Sequence, residues 1–314
     1  MAQRRIEVLL MAAPDFSQLP WIVPYQDILA IAGTDCVELL EVTNCYGGAA
    51  WARYHYTQTS PLIISSRTVG STTRYLLRVG TSNLKLRPSV SAGGIESVEL
   101  SDDTVKVTYA GLGGGGVGAT MCRALARDVI DYDLTPAGGS KMSRGTLTLP
   151  KRSRVIVGVD DTDTKEEGAT WSLVNNIAAM VDNNTLRYVS HAIVQLYPVK
   201  AKTKNCVATV VEFASLNATK CIKQFQELLE DYTLSDQTGM AVLNSFGAKS
   251  LLSYGNAARS GEVSFSAAME AADAAGVEVR LQGRGIIGAI AALPFFSQCD
   301  ESVKLDQIAR SETV

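Results

Sequence analysis

The feature that most constrains this chain is a short apolar run, Val155 to Val159, that ends in Asp160-Asp-Thr-Asp-Thr164. An apolar run of that length bounded by turn residues reads as a strand buried on both faces. Leu173, Val174, Ile177, Ala178 and Val181 follow at helical spacing, which predicts a helix over 170–181. Three carboxylates and two hydroxyls therefore crowd the exit of a strand and the entry of a helix. Ligands of α/β sheets gather at the carboxyl ends of strands. Hard oxygen donors suit magnesium, which joins one or two carboxylates to substrate phosphates. The turn can also do no more than cap the helix, but three acids within four positions repel one another unless a cation or donors offset them. Asp160, Asp161 and Asp163 are thus the candidate metal ligands.

Composition narrows the class. The chain has 314 residues, 46% hydrophobic and 19% charged, enough for a sizeable core and two domains. Its net charge is −3 and its pI about 5.6. That argues against non-specific nucleic-acid binding by the whole chain and leaves room for a local basic patch. No apolar run is long enough to span a bilayer. Arg4 and Arg5 precede a short apolar stretch, Ile6 to Ala13, broken by Glu7, which makes a poor signal peptide. The expectation is a cytoplasmic chain with no membrane partner. Six scattered cysteines with no CxxC pair, and only His55 and His191, argue against structural zinc. The cysteines are expected to be reduced core residues, with Cys45, beside Tyr46-Gly47-Gly48, as the functional candidate.

Along the first half, Pro14, Pro20 and Pro24 predict an irregular entry. Val37–Val42 reads as a strand, and 49–56 as a short helix carrying Trp51, Arg53, Tyr54 and His55. Those side chains could stack on a base and hold a phosphate, or simply form a surface helix. Strands are expected at 62–65 and 75–79, with a donor-rich loop, Arg67 to Arg74, that suits either an anion or solvent. Ile95–Leu100 and Val105–Tyr109 read as a hairpin turning at 101–103. Gly111-Leu-Gly-Gly-Gly-Gly-Val-Gly118 then precedes a helical pattern at Val117, Met121, Ala124 and Leu125. A strand, a glycine loop and a helix can hold a phosphate on backbone N–H groups, so Gly111, Gly113 and Gly114 are candidates; a structural loop fits as well. Ala137 to Lys141 is a second glycine turn. Leu149 to Arg154 reads as a basic linker, placing a boundary between domains at 1–150 and 151–314.

In the second half the expected order is strand 155–160, helix 170–181, strands 188–197 and 206–214, helix 218–231 and a strand near 239–243. That is the split βαβ order. Lys200, Lys202 and Lys204 lie between the middle strands, where they could meet a phosphate or RNA backbone or remain solvated. Residues 246–262 read as loop, 265–272 as helix and 277–282 as strand. Gly283-Arg-Gly-Ile-Ile-Gly288 and an apolar helix to Leu293 complete a second strand, glycine turn and helix. Gly283, Arg284, Gly285 and Gly288 are the candidate phosphate residues there. The tail from Cys299 is expected to fray.

Gly158-Val-Asp-Asp-Thr-Asp-Thr164, with Thr170 after it, resembles the Gly-Ile-Asp-Asp-Thr-Asp-Ser signature of the archaeal tRNA-isoleucine agmatinylcytidine synthetase. Gly283 to Ala292 resembles a glycine segment late in that enzyme's catalytic region, and Gln195-Leu-Tyr-Pro through Lys204-Asn-Cys-Val-Ala looks weakly like the region between. The likeness covers about residues 154–293. Over its whole length the chain resembles methanogenesis marker protein 11, on Cys45-Tyr-Gly-Gly-Ala-Ala-Trp-Ala-Arg53 and Asp160-Asp-Thr-Asp-Thr-Lys-Glu-Glu-Gly-Ala-Thr-Trp171. The glycine loop at 111–118 loosely resembles that of the GHMP kinases. The synthetase resemblance implies ATP and magnesium at Asp160, Asp161 and Asp163, a transiently phosphorylated Thr170, and a nucleotide contacted by Gly158, Thr162 and Thr164. It departs at Ala169-Thr170-Trp171, where the synthetase has Cys-Thr-Thr, and no paired cysteines stand for its zinc ribbon.

The fold expected is α+β: two α/β-type domains, the C-terminal one on a split βαβ, ferredoxin-like core. The function expected is a magnesium-dependent, ATP-binding enzyme of methanogens that activates an acceptor by phosphoryl or nucleotidyl transfer. The acceptor is left open among small molecule, RNA and protein, as is a homo-oligomeric state. The alternatives are an RNA-modifying or RNA-binding protein using the Lys200–Lys204 segment, and a non-catalytic nucleotide-binding assembly factor.

Overall fold

The structure is a computed structural model that describes residues 20–200 and 202–304. The stretch Ile6 to Ala13, the part of the irregular entry at Pro14 and the tail beyond 304 lie outside the described residues. The chain divides into two compact units, Met1–Lys151 and Arg152–Val314.

The first unit contains β1 (Asp27–Ala32), β2 (Cys36–Val42), α1 (Tyr46–Thr59), β3 (Ile63–Val69), β4 (Thr72–Arg78), β5 (Gly80–Thr81), β6 (Gly93–Leu100) and β7 (Thr104–Leu112). Two short helices, α2 (Gly114–Ala119) and α3 (Met121–Ala124), and β8 (Asp131–Leu134) lead into the long β9 (Met142–Asp160). The sheet runs β3-β4-β2-β1-β9-β7-β6-β5, with 142–150 of β9 antiparallel to β7. Alternate residues point inward at the strand period: Val37 and Leu39, Tyr75 and Leu77, Val105, Val107 and Tyr109, Leu147 and Leu149 all belong to one core. Helix α1 adds Ala52 and Tyr56, four positions apart, to that core.

A buried ion pair lies within this core. Glu41 on β2 and Arg123 on α3 are each 1% exposed. Arg123 donates from Nε to Glu41 Oε1 and from Nη2 to Oε2, both at 2.8 Å. Tyr109 Oη donates to Glu41 Oε1 at 2.8 Å, and Arg123 Nη1 to the Gly118 carbonyl at 2.6 Å. The guanidinium also faces the rings of Tyr25, Tyr56 and Tyr109 at 4.5, 5.1 and 4.6 Å. Two buried charges are tolerated only when paired and fully hydrogen-bonded, and this set meets that demand.

Several expectations are corrected here. The donor-rich segment 67–74 is no open loop; it is the β3–β4 hairpin, turning at Gly70 with φ 58°. Arg74 within it is buried against Glu38 at 3.2 Å, and the Thr68 and Thr73 hydroxyls bond each other at 3.1 Å. The basic run 149–154 is strand rather than linker, the interior of β9. Arg152 and Arg154 are 1% and 3% exposed: Arg152 donates to the Ala214 and Asn184 carbonyls, and Arg154 pairs with Glu212, so neither side chain is solvated. The glycines at 111–118 do not form a loop before a helix: Gly111 lies in β7, Gly113 turns the chain, and the other four lie within α2 itself. A Cβ on Gly111 would lie 2.3 Å from the Gly115 carbonyl oxygen, so that glycine lets α2 fold back onto β7.

The second unit continues from β9 with α4 (Thr170–Val181), β10 (Leu186–Gln195), β11 (Val207–Ser215), α5 (Ala218–Tyr232) and β12 (Gly239–Asn244). Then come α6 (Leu252–Ser260), α7 (Phe265–Ala275), β13 (Glu278–Gln282), α8 (Ile286–Ala292) and α9 (Cys299–Ser302). The pairings are β10 with β11, β11 with β9, β9 with β12 and β12 with β13, all antiparallel. The first four strands stand in the 4-1-3-2 order of a split βαβ, and β13 extends that sheet. The architecture is α+β.

The run at 155–159 is apolar throughout because both faces of β9 are covered. Val155, Val157 and Val159 join a core with α4 and α5. Ile156 joins another with α6, α7 and α8. Local signals set the helix ends: the Asn217 side chain accepts the Lys220 N–H at 3.0 Å at the start of α5, and Gly276 closes α7 in the left-handed conformation at φ 68°. Residues 246–262, expected as loop, contain α6; its Gly255 lets Phe295 and the Ala291 carbonyl approach. Residues 299–302 are helical rather than frayed. All six cysteines are free, and Cys122 and Cys221 are buried. Among the described residues no helix is long and apolar enough to cross a membrane.

Glu41→Gln or Arg123→Met alone should destabilise the protein by about 3–5 kcal/mol, because each leaves one buried charge unpaired. Glu41→Leu with Arg123→Met should cost clearly less than the two singles added together. Urea unfolding of the four proteins checks this; additive losses would contradict it.

Candidate functional site

Strand β9 delivers Asp160 as its last residue, and the chain turns sharply because Asp161 takes φ 55°. A left-handed residue that is not glycine carries strain of order 1 kcal/mol or more, held only where the surroundings fix it. Here they do. The Asp161 N–H donates to Asp160 Oδ1 at 2.8 Å. Thr238 Oγ1 donates to the Asp161 carbonyl at 3.2 Å. Leu234 N–H, at 2.9 Å, and Thr233 Oγ1, at 3.3 Å, donate to the Thr162 carbonyl.

The second glycine segment meets this turn directly. Arg284 donates to Asp161 Oδ2 from Nε at 3.2 Å and from Nη2 at 3.1 Å. A Cβ on Gly285 would lie 2.5 Å from the Asp160 carbonyl oxygen, and one on Gly288 would lie 2.0 Å from Asp160 Oδ2. A Cβ on Gly158 would lie 2.0 Å from the Ala289 carbonyl oxygen. These glycines are needed for α8 to lie on the end of β9. The phosphate-loop expectation for 283–288 is corrected accordingly: Gly283 N–H donates to the Thr238 carbonyl at 3.0 Å, and Gly285 N–H to that of Gln237 at 2.9 Å. Those N–H groups are already used, so anion binding there falls to the Arg284 side chain.

Asp160, Asp161, Arg284 and Gly288 line a cavity of about 130 Å³, whose wall also carries Lys202 and Glu262. Asp163 does not line it; its Oδ1 accepts from Thr203 Oγ1 at 2.9 Å. Thr170 is buried, and its Oγ1 accepts from both the Thr162 N–H and the Thr162 hydroxyl at 3.1 Å. It braces the turn rather than facing the cavity. Thr164 Oγ1 accepts the Glu167 N–H at 3.0 Å, another internal brace. The expectation that three aspartates grip one cation is corrected: among the described residues no three acidic, His or Cys side chains converge as a metal site. The carboxyls of 160, 161 and 163 diverge to separate partners. Gly113 and Gly114 line a different cavity, within the first unit.

Burial pushes the Asp160 carboxyl well above the usual carboxylate range, and the charges of Asp161 and Asp163 add to it. Burial raises Asp161 too, with Arg284 opposing. Asp160 and Asp161 both line the cavity, and their hard oxygens are the donors there that a divalent cation would take. Lys202 was identifiable as a phosphate candidate, and Lys204 beside it is occupied by the Gly168 carbonyl at 2.8 Å. The Asp161–Arg284 pair spans 123 positions, and no local pattern could reveal it. Glu262 went unnoticed because its segment read as loop.

Comparisons with known proteins reach this region as well. A family model described as the TiaS TCKD domain matches residues 156–220. Uncharacterized protein MJ0921 of Methanocaldococcus jannaschii is 39% identical over 281 residues, covering 86% of this chain and 93% of that protein. Among solved structures, a crystal structure of TiaS in complex with tRNA and ATP is similar at TM-score 0.43 and 21% identity, over 45% of this chain and 36% of that one. A crystal structure of TiaS in complex with tRNA, AMPCPP and agmatine is similar at TM-score 0.41 and 20% identity, over 45% and 36%. This chain thus spans about a third of the length of the solved chains that it matches.

The folded state holds the Asp160 proton more tightly than the unfolded chain does, so ionisation weakens the native state as pH rises above about 4, the unfolded value. Asp160→Asn keeps an acceptor for the Asp161 N–H and removes the charge. Without ligand, the variant should match wild type near pH 4 and melt a few degrees higher at pH 8. A thermal melt at the two pH values checks this; a variant less stable at pH 8 would contradict it.

Proposed function

This chain belongs to the family of the Methanocaldococcus jannaschii protein MJ0921, and from that premise we propose that it is an ATP-using enzyme working at the Asp160–Asp161 wall of the second unit. The observation that carries the reading is the meeting of the acid turn with Arg284 at one cavity that also presents Lys202. Asp160 and Asp161 would hold magnesium. When bound, that ion would offset charge on the phosphates. Arg284, which neutralises Asp161 in the ligand-free protein, would turn its guanidinium to a phosphate oxygen, and Lys202 would add a point charge. The acceptor oxygen would attack the γ-phosphorus with loss of ADP, or the α-phosphorus with loss of diphosphate.

The matched family model supports a TiaS-like substrate class, and crystal structures of TiaS are complexes with tRNA and ATP, and with tRNA, AMPCPP and agmatine. A tRNA is therefore the first candidate acceptor, with the exposed Lys200 and Lys202 facing its backbone. A small molecule or a protein is the alternative acceptor. We assign the chain to the cytoplasm and, on the phrases at 45–53 and 160–171, to the methanogenesis marker protein 11 family. Its homo-oligomeric state is part of the same proposal.

Calorimetric titration of ATP with magnesium tests the reading. Asp161→Asn should weaken binding by at least about ten-fold, 1.4 kcal/mol, while the much weaker magnesium-free binding should not fall, because Arg284 loses its partner and stays free for a phosphate. Equal affinity of the two proteins, or no binding by either, would overturn it. Retention of tRNA that falls with salt, and whose salt slope decreases by about one on Lys202→Gln, tests the acceptor class.

A further inference from the structure

The first unit encloses a cavity of about 700 Å³, room for a drug-sized small molecule. Helix α1 lines it with Ala49, Trp51, Ala52 and Tyr56, and Tyr25 and Arg123 stand on the same wall. Cys45 and Cys122 reach it from two different elements.

The glycines of the α2 segment fall into two kinds. Gly113 needs its φ of 55°, and a Cβ on Gly115 would lie 2.6 Å from the Ala92 carbonyl oxygen. Gly114 has neither constraint: its φ is not left-handed, and nothing lies within 4 Å of an added Cβ. Gly118 would meet only Arg123 Nη1, at an ordinary 3.8 Å. Gly114 opens the six-residue α2, and Gly118 is its next-to-last residue. Gly114 and Gly118 are four positions apart, on one helix face, and both line the cavity. Side chains are missing there although packing and backbone would accept them. What that face gains is close approach of a flat group to the helix backbone.

Charge narrows the occupant. The Arg123 guanidinium at the wall is matched by Glu41 through two hydrogen bonds, so the pair presents no net charge, and an ionic ligand would lose its hydration without a counter-charge. Trp51, which lines the cavity, is 40% exposed, and its ring favours the face or edge of another ring.

We propose that the first unit binds a neutral, flat aromatic small molecule lying against Trp51 and the Gly114–Gly118 face of α2. This site is independent of the nucleotide reading for the second unit. The probe is N-phenyl-1-naphthylamine, a neutral aromatic fluorophore, titrated into the full chain. It should bind saturably at one site, unaffected by ATP with magnesium, and should slow alkylation of the exposed Cys45 by N-ethylmaleimide, followed by peptide mass. Gly114→Leu should weaken probe binding by about ten-fold or more, 1.4 kcal/mol or more. If that variant fails to fold, Cys45 protection in the wild type decides alone. Absence of saturable binding, binding that leaves Cys45 unprotected, or a folded Gly114→Leu that binds equally well would overturn the proposal. So would protection by tRNA with none by the fluorophore, which would give the cavity to an RNA base.

Discussion

The second unit depends on how closely α8 approaches the end of β9. A side chain at Gly158, Gly285 or Gly288 would overlap an atom of Ala289 or Asp160 at 2.0 to 2.5 Å. With those glycines in place, the helix covers one face of the strand and encloses the Asp160 carboxyl. That enclosure creates the site's electrostatics: a carboxylate removed from water resists ionisation, and Asp161 beside it adds repulsion. Arg284, carried on the turn that begins α8, returns part of the missing counter-charge. One steric requirement thus sets the fold at the strand end, the burial of the Asp160 carboxyl and its repulsion with Asp161.

Each unit also carries a buried Arg–Glu pair of similar design. In the second unit, Arg154 Nε donates to Glu212 Oε1 at 2.7 Å, Ser190 Oγ donates to Glu212 Oε2 at 2.8 Å, and the guanidinium faces Phe246 and Phe296. In the first, three tyrosine rings surround Arg123. Such sets stabilise little over a well-packed apolar core, but they penalise any arrangement that leaves a member unpaired. They restrict each core to one packing.

The order of strands and helices in the second unit was legible because its periods are clean. Alternation or continuous apolarity marks the strands, and Cys221, Ile222, Phe225 and Leu229 mark one face of α5. The position of the acid turn was legible for the same reason, since Asp160 ends a strand. Charge was misleading where its partner lies far away in the chain. Arg152 and Arg154 read as solvated linker because Glu212 is 58 positions from Arg154. Glycine was misleading where packing, not ligand approach, requires it: Gly283 and Gly285 share a spelling with phosphate loops, but their N–H groups serve Thr238 and Gln237. Thr170 shows the same limit: the synthetase resemblance put it beside the aspartates and could not show its hydroxyl turned toward Thr162.

The account rests on Asp160 and Asp161 being held as an incomplete cation site that magnesium and a nucleotide complete together. Carbon-13 NMR of the aspartate carboxyls, titrated with and without ATP and magnesium, measures this directly. In the free protein the Asp160 resonance should titrate well above the ordinary aspartate range, and with both ligands present it should stay ionised down to or below that range. A resonance that titrates in the ordinary range without ligand, or one that the ligands leave unmoved, would contradict the account.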